Sequence, residues 1–519
     1  MLLKGAHKEW RLEQISVIDV RAVELEQLLT FLWLRVKHDN RPVVRLSGSQ
    51  RITVADLAAQ MEGNELFRGF RDLPGASEAW LRADLVFTRK KDPDAFTVAR
   101  PVHLDAARVR NPKENNDSFA SRQVYSWIRH ADAALLDELL AFIEPSTDET
   151  LDLPSLALRL LGEDQPADTP KSPDPDVEPL CWRQAVMYAE DLRAVLAYRR
   201  VLPRASIVDH IRRITGLHLG LHFLRMFRIV VAIEGSGGEW RCSTCDARER
   251  AGRCAQPVEL VVDCGEDANS QIAQYAEAAW AREEEWIARY VRSHLALKKL
   301  DQFAHYEEKE RNLSYPHTTL AEIAGLEKQA KASELERYFD IQLADLRNNL
   351  EDDTAKEAIT ELEHRHRRMG FNAFRTYHAV LCQYAERRWT SYNRWLLDSL
   401  LGKNASDGLL RQPLGGRRRR RAVLSPSLLE TLVLISAVRF EAGGVRTAPL
   451  RVDQLIDRFR DRYGFLIAHA PALDAEDPAA IRVLADNAQR FRARLRETGV
   501  FTDQSDAYLA QTVRPRVRL

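Results

Sequence analysis

The sequence of 519 residues has no excess of charge of one sign and no long hydrophobic run. Lys and Arg together number 76, and so do Asp and Glu. This balance excludes a histone-like polycation that binds nucleic acid over its whole surface, although a local basic patch stays open. No stretch approaches the roughly 18 apolar residues of a membrane span, and the N-terminus lacks the apolar core of a signal peptide. We therefore expect a cytoplasmic protein that does not enter a membrane.

Catalytic signatures are also missing. The chain has no Gly-x4-Gly-Lys-Ser/Thr phosphate-binding loop, no Gly-x-Ser-x-Gly motif and no kinase signature set. A P-loop ATPase is thereby excluded. These absences favour a protein without catalytic activity of its own over an enzyme.

Proline and glycine, the residues that interrupt helices, are scarce between residues 266 and 401. This stretch contains one proline, Pro316, and two glycines, Gly325 and Gly370. So few breakers predict long helices. Aromatic residues such as Tyr290 and Tyr377 recur there at helical spacing, which is more typical of packing between helices than of stacking on bases.

Two segments divide the chain. Residues 163–180 contain five prolines and six acidic residues, and residues 402–422 contain four glycines and five consecutive arginines. Both compositions are typical of linkers, because they bury little apolar surface. The predicted fold is mainly α. Its predicted parts are a mixed α/β N-terminal domain at 1–162, a helical domain at 181–401 with a cysteine-bearing insertion at 235–265, and a winged-helix-like domain at 423–519.

Local patterns predict the elements of the N-terminal domain. Apolar recurrence predicts a helix over residues 23–36 and a helical pair over 118–143. A second helix over residues 51–60 has Thr53 at a plausible cap position. Alternating residues predict short strands at 41–47 and 81–88.

Four of the six cysteines lie close together in the sequence. A Cys-x2-Cys pair can place both sulfurs on one ion in a tight turn, and two more cysteines follow after gaps of eight and nine residues. We predict a structural zinc site with closed tetrahedral coordination; the alternative is a cysteine-containing loop without metal. The predicted ligands are Cys242, Cys245, Cys254 and Cys264.

The last hundred residues have the order of elements of a winged helix. Ser425 followed by Pro426 predicts the start of a helix at 424–438, and further helices are predicted at 451–463 and 478–498. Residues 500–513 alternate as a terminal hairpin would. Many winged helices place the third helix in the major groove of DNA, and arginine binds phosphate. The predicted DNA-binding residues are Arg417, Arg418, Arg419, Arg420, Arg421, Arg490, Arg492, Arg494 and Arg496.

Several alternatives remain at this point. The winged helix could serve protein contact, with its arginines balanced by Asp486 and Glu497. His218 and His222 lie four residues apart, but the neighbouring Gly216 and Gly220 favour close helix packing over metal binding.

A second interpretation of the whole chain is a metal-dependent nuclease in residues 1–162. Its candidate residues are Asp84, Lys90, Lys91, Asp92 and Asp94.

The order of segments resembles a known group of proteins. The segments are HLGLHFLRM, ELVVDCGED and the C-terminal GFLIAHAP…LRETGVFTDQSDAYLAQTVRPR. Over roughly residues 200–519 they are similar to accessory proteins of bacterial phage-defence operons linked to DNA modification, of the methylation-associated or phosphorothioation-dependent type. The resemblance implies a subunit that works beside a separate ATPase, nuclease or methyltransferase, and it implies no active-site residues.

We therefore interpret the chain as a non-enzymatic scaffold that contacts double-stranded DNA within a defence complex, together with an ATPase or nuclease. The absence of catalytic motifs and the basic C-terminal end are the two observations behind this interpretation. Besides the nuclease, a third interpretation is a segregation-type architectural protein bound to a chromosome-condensing ATPase.

Overall fold

The computed structural model of the chain is mainly helical, as the scarcity of helix breakers predicts. Helices account for most of the described residues, and the strands are short. The structure describes residues 10–44, 52–89, 92–111, 117–144, 152–163, 165, 168–242, 257–350, 352–413, 419–470, 478–501 and 512–519.

The N-terminal part combines seven helices with two strand pairs among its described residues. The helices are α1 (Leu25–Lys37), α2 (Val54–Gly63), α3 (Arg68–Arg71), α4 (Ala76–Trp80), α5 (Ala120–Asp132), α6 (Ala134–Ile143) and α7 (Leu153–Glu163). The strands are β1 (Val43–Val44), β2 (Val86–Arg89), β3 (Asp92–Ala99) and β4 (Thr169–Pro170), paired antiparallel as β1 with β4 and β2 with β3.

Most local predictions for this part are confirmed. Thr53 is the N-cap of α2 and forms a capping box with Asp56. The predicted helix at 23–36 is α1, and the predicted helical pair is α5 and α6. The predicted strand at 81–88 is wrong in its first half, because residues 81–85 form a π-helical turn. Leu81 and Leu85 are both fully buried, and their spacing of four suits a helix as well as it suits a strand.

The middle of the chain forms a body of long helices. They are α8 (Trp182–Leu196), α9 (Arg204–Gly235), α10 (Gln271–Arg311), α11 (Leu320–Gln329), α12 (Ala332–Asn348), α13 (Asp353–Arg368) and α14 (Ala373–Leu400). Tyr290 and Tyr377 are buried between helices, so the packing role predicted for the aromatic residues holds for both.

Helix α9 lies at the centre of this body and packs against α8, α10 and α14. It is the one helix of the described ranges long and apolar enough to cross a membrane, but 83% of its apolar window is buried inside the protein. A Cβ atom at Gly216 would lie 2.5 Å from the Leu400 carbonyl oxygen, and one at Gly220 would lie 2.3 Å from Leu401 Cδ2. The predicted close packing at these two glycines is therefore confirmed.

A small buried sheet connects the helical body to the C-terminal part. Its four strands are β5 (Leu260–Asp263), β6 (Leu410–Arg411), β7 (Arg421–Val423) and β11 (Phe465–Leu466), in the order β11-β5-β7-β6. Strand β5 is parallel to both β11 and β7, and β6 is antiparallel to β7. The apolar residues of β5 are buried on both faces, as is usual for parallel strands covered by helices.

The C-terminal part contains the three predicted helices within two residues of their predicted ends. They are α15 (Pro426–Ala437), α16 (Val452–Tyr463) and α17 (Pro478–Glu497). Ser425 caps α15, with Pro426 in its first turn. The remaining strands are β8 (Val438–Glu441), β9 (Gly444–Thr447), β10 (Leu450–Arg451) and β12 (Thr512–Val513).

The predicted terminal hairpin is only partly within the described ranges. Phe501 forms an antiparallel bridge with Val513, and β12 pairs antiparallel with β10. Residues 502–511 lie outside the described residues. The winged-helix assignment therefore stays a prediction, as do the boundaries of the domains.

Most buried hydrophobic residues from Trp10 to Val513 belong to one connected core, and a smaller separate cluster includes Val261, Ile272 and Leu484. Two aspartates of the acidic segment at 163–180 form ion pairs with buried arginines. Asp168 contacts the buried Arg110 at 2.8 Å, and Asp174 contacts the buried Arg35 at 2.7 Å. Each aspartate compensates the charge of a buried guanidinium.

Candidate nucleic-acid interface

Helix α17 presents an arginine-bearing face to solvent. Its buried residues, which include Leu484, Phe491 and Leu495, recur at helical spacing, and the opposite face is exposed. Arg482, Arg490, Arg496, Asp486 and Glu497 lie on this exposed face. The face therefore carries three positive and two negative charges, so its excess of positive charge is small.

A buried asparagine fixes α17 against the sheet. The side-chain oxygen of Asn487 accepts the backbone N–H of Cys264 at 2.9 Å. Its amide donates to the carbonyls of Val262 and Ile467, both at 2.9 Å. These three bonds satisfy the amide and attach the helix to the C-terminal end of β5 and to the residue that follows β11. The exposed arginines are thus carried on a rigid element.

The other two arginines predicted on α17 lie at the sides of the helix and are partly buried. Arg494 forms ion pairs with Glu266 at 2.9 Å and with Glu497 at 3.4 Å. Arg492 is partly buried as well. On the exposed face, Arg496 stacks over the Phe501 ring at 5.5 Å.

The run of five arginines divides into parts with different surroundings. Arg417 and Arg418 lie outside the described residues, and Arg419 is exposed. Arg420 forms a bidentate ion pair with Asp398 at 2.7 and 2.8 Å and also contacts Glu284 at 3.2 Å. Arg421 is buried and pairs with Asp263 at 3.0 Å. The positions of Arg420 and Arg421 therefore give no support to DNA contact by these two residues.

The cysteines are only partly described. Cys242 lies after α9 and is buried, and Cys264 is buried directly after β5. Cys245 and Cys254 lie outside the described residues. Within the described part of the chain, no group of three or more His, Cys, Asp or Glu residues could hold a metal ion. Zinc binding by the four cysteines stays a prediction.

His218 belongs to a buried hydrogen-bonded network. Its Nε2 lies 2.9 Å from the Asp191 carboxylate, and its Nδ1 lies 2.6 Å from the Gln184 amide. Asp191 also accepts from Arg462 Nε at 3.0 Å and from the Tyr463 hydroxyl at 2.7 Å. The network connects α8 and α9 to α16, so it holds the C-terminal part against the helical body.

Charge within this network is balanced by Asp191. Burial alone would raise the pKa of Asp191, but the Arg462 guanidinium and the hydrogen bond to His218 outweigh burial and hold that pKa well below its usual range. Burial lowers the pKa of His218 despite the nearby carboxylate. A neutral His218 that donates from Nε2 to Asp191 and accepts from Gln184 at Nδ1 fits both contacts.

Comparison with known families identifies the chain. The family model of the methylation-associated defense system protein MAD7 matches residues 5–517. The chain belongs to this family. A search of curated proteins found no match. The resemblance to methylation-associated defence proteins is therefore confirmed, and the family match extends further toward the N-terminus than the segments that suggested it.

The described candidate nuclease residues of this MAD7-family chain lie in different surroundings. Asp84 is exposed on the π-helical turn, and Asp94 pairs with Arg82 at 2.8 Å. Lys90 and Lys91 lie outside the described residues. Among the described residues, these carboxylates belong to no group of three or more side chains that could hold a metal ion, so the nuclease interpretation stays a prediction.

Sequence reasoning missed two features of the site. The β8–β9 hairpin was not predicted, although Gly443 in the turn and Gly444 at the start of β9 are a hairpin signal. The network around Asp191 was also missed. Its members are far apart in the sequence, and only the histidine pair gave a local signal.

Proposed function

We propose that this chain is a non-catalytic, DNA-contacting scaffold of a methylation-associated defence system, working with a separate ATPase or nuclease. Membership of the MAD7 family places it among the components of such a system. The observation that carries the DNA-contact proposal is the exposed face of α17 with Arg482, Arg490 and Arg496. A helix that presents arginines and is held rigidly from behind is suited to binding phosphates.

The elements around α17 support a winged-helix interpretation. Helix α15, strand β10, helix α16, helix α17, the bridge at Phe501 and strand β12 occur in the order of that fold, with the β8–β9 hairpin inserted before β10 and strand β11 inserted between α16 and α17. Arg514 and Arg518 are exposed next to β12 and add positive charge. In this proposal the exposed face of α17 contacts DNA.

The proposal predicts a change in the salt dependence of DNA binding. Each phosphate contact that arginine makes contributes about 0.9 to the slope of log affinity against log salt for duplex DNA. Replacing Arg482, Arg490 and Arg496 together by Gln should lower that slope by about 2 to 3. Fluorescence anisotropy with a mixed-sequence duplex, titrated from about 50 to about 200 mM salt, measures it.

A matched control separates a local interface from a general charge effect. Arg365, Arg367 and Arg368 are exposed on α13, and their replacement by Gln removes the same charge from another helix. The control variant should keep the slope of the unaltered protein. An unchanged slope in the α17 variant, or an equal loss in both variants, contradicts the proposal.

We further propose that Cys242, Cys245, Cys254 and Cys264 bind one structural zinc ion. Support comes from the Cys-x2-Cys spacing and from the placement of Cys264 at the end of β5, where the sheet joins the helical body. Mass spectrometry of the native protein should find about one zinc per chain. The ion should be lost on replacing Cys245 by Ser and retained on replacing Cys382, which lies on α14. Native protein without zinc contradicts the proposal.

A further inference from the structure

A cleft of about 600 Å³ lies between the helical body and the C-terminal part. Its walls come from the end of α5, from α8, and from α15, β8 and α16. The volume is within the range of pockets that bind small molecules. Asp191 and Arg462 line the cleft, and His218, which bonds to Asp191, is not among its lining residues.

All but one of the charged residues that line the cleft have partners. Arg462 pairs with Asp191 and, at 2.6 Å, with Glu190. Arg193 pairs with Asp132, and it also contacts Glu138 at 3.4 Å. Arg458 also lines the cleft. Its guanidinium has no hydrogen bond and no ion pair within the ranges that the structure describes.

The surroundings of Arg458 are unfavourable for a cation. The side chain is partly buried. Burial, together with the nearby guanidiniums of Arg462 and Arg439, lowers the pKa of Arg458, and Tyr463 and Asp191 offset this only in part. A partly buried positive charge among like charges is stabilised when an anion binds beside it.

The rest of the cleft is suited to an apolar or aromatic group. Val186, Ala189 and Ile435 line it, together with Phe440 on strand β8. Phe440 is 52% exposed although it is a large hydrophobic residue. Its ring is therefore accessible for stacking, an interaction that aromatic rings and nucleobases share.

We propose that this cleft binds a mononucleotide, with the phosphate on Arg458 and the base against Phe440. Arginine presents a planar fork of donors that matches phosphate, and such charge-assisted bonds are stronger than neutral ones. The cleft is formed by residues other than the arginines of α17, so this proposal goes beyond DNA contact and does not depend on it.

Isothermal titration of the full chain with AMP, adenosine and inorganic phosphate tests the proposal. We expect AMP to bind, and to bind more tightly than adenosine alone or inorganic phosphate alone. Replacing Arg458 by Gln should weaken AMP binding about ten-fold or more, because charge-assisted hydrogen bonds are lost. Replacing Phe440 by Ala should weaken AMP and adenosine but not inorganic phosphate. Failure of AMP to bind, or AMP binding no tighter than phosphate, would overturn the proposal.

Arg460 provides a control on the same helix. It lies outside the cleft lining and pairs with Asp457 and Asp461, both at 3.1 Å. Arg460→Gln should leave AMP binding unchanged, and an effect equal to that of Arg458→Gln would contradict a site at Arg458.

Without AMP, Arg458→Gln should not lower the melting temperature, because the removed charge has no partner among the described residues. A fall of several degrees would instead assign Arg458 a structural role and overturn the proposal. DNA binding should be the same in both variants, so failure here is distinguishable from failure of the α17 interface.

Discussion

Replacing Asp191 by Asn should destabilise the protein by about 3 to 5 kcal/mol, the usual effect of removing one partner from a buried ion pair. Asp191 is buried and receives only donors. Arg462 donates to one carboxylate oxygen, and His218 and Tyr463 donate to the other. In either orientation, the amide NH2 of an asparagine would face a donor where the carboxylate had an acceptor. The midpoint of urea unfolding, followed by circular dichroism, measures the effect.

Glu190 is the matched control, because it contacts the same guanidinium from the surface. Its carboxylate lies 2.6 Å from Arg462 Nη1, and its side chain is 52% exposed. Exposed ion pairs contribute little, so Glu190→Gln should cost about 1 kcal/mol or less. If the two variants were equally stable, the network would not hold the C-terminal part against the helical body.

The outcome of sequence reasoning on this fold depended on whether the deciding contact was local. The start of α15 was predictable because Ser425 and Pro426 act within one turn of the helix. The stop of α16 at Gly464 was predictable as well, because its φ of 77° is the left-handed conformation in which glycine commonly ends a helix. Both signals need only neighbouring residues to be read.

Other outcomes depended on partners far away in the chain. The run at 417–421 predicts one basic patch, but Asp398 forms an ion pair with Arg420 and Asp263 forms one with Arg421. Nothing in the run distinguishes these two arginines from their neighbours. Asp191 and Arg462 likewise gave no signal, since 271 residues separate them. Ion pairs across the core follow from the tertiary fold, which residue spacing alone does not determine.

Acid should destabilise the protein steeply between about pH 6 and about pH 4.5. Burial, aided by Arg213, lowers the pKa of His210 to about 4. Burial also lowers the pKa of His222 and of His294 to about 3, aided by Arg225 and Lys298 respectively. These histidines stay neutral in the folded protein, whereas in the unfolded chain they bind protons near pH 6.5.

The sign of the effect follows from proton uptake. The unfolded state binds more protons than the folded state in this window, so stability is full above about pH 6.5 and falls as the pH decreases toward the folded pKa values. Each histidine contributes about 1.4 kcal/mol per pH unit, and the three together about 4. Burial raises the pKa of Asp117 and Glu283, so these carboxyl groups oppose part of the loss. Urea midpoints measured at half-unit intervals of pH give the net slope.

A single substitution isolates the histidine contribution from these opposing groups. His222 is fully buried against the Trp127 ring, and neither of its nitrogens has a hydrogen-bond partner among the described residues. His222→Phe keeps an aromatic ring there and removes the titrating group, so the slope should fall by about 1.4 kcal/mol per pH unit. His364 is exposed on α13, and His364→Phe should leave the slope unchanged. An equal slope in the His222 variant and the unaltered protein would mean that His222 takes up its proton while the protein is still folded.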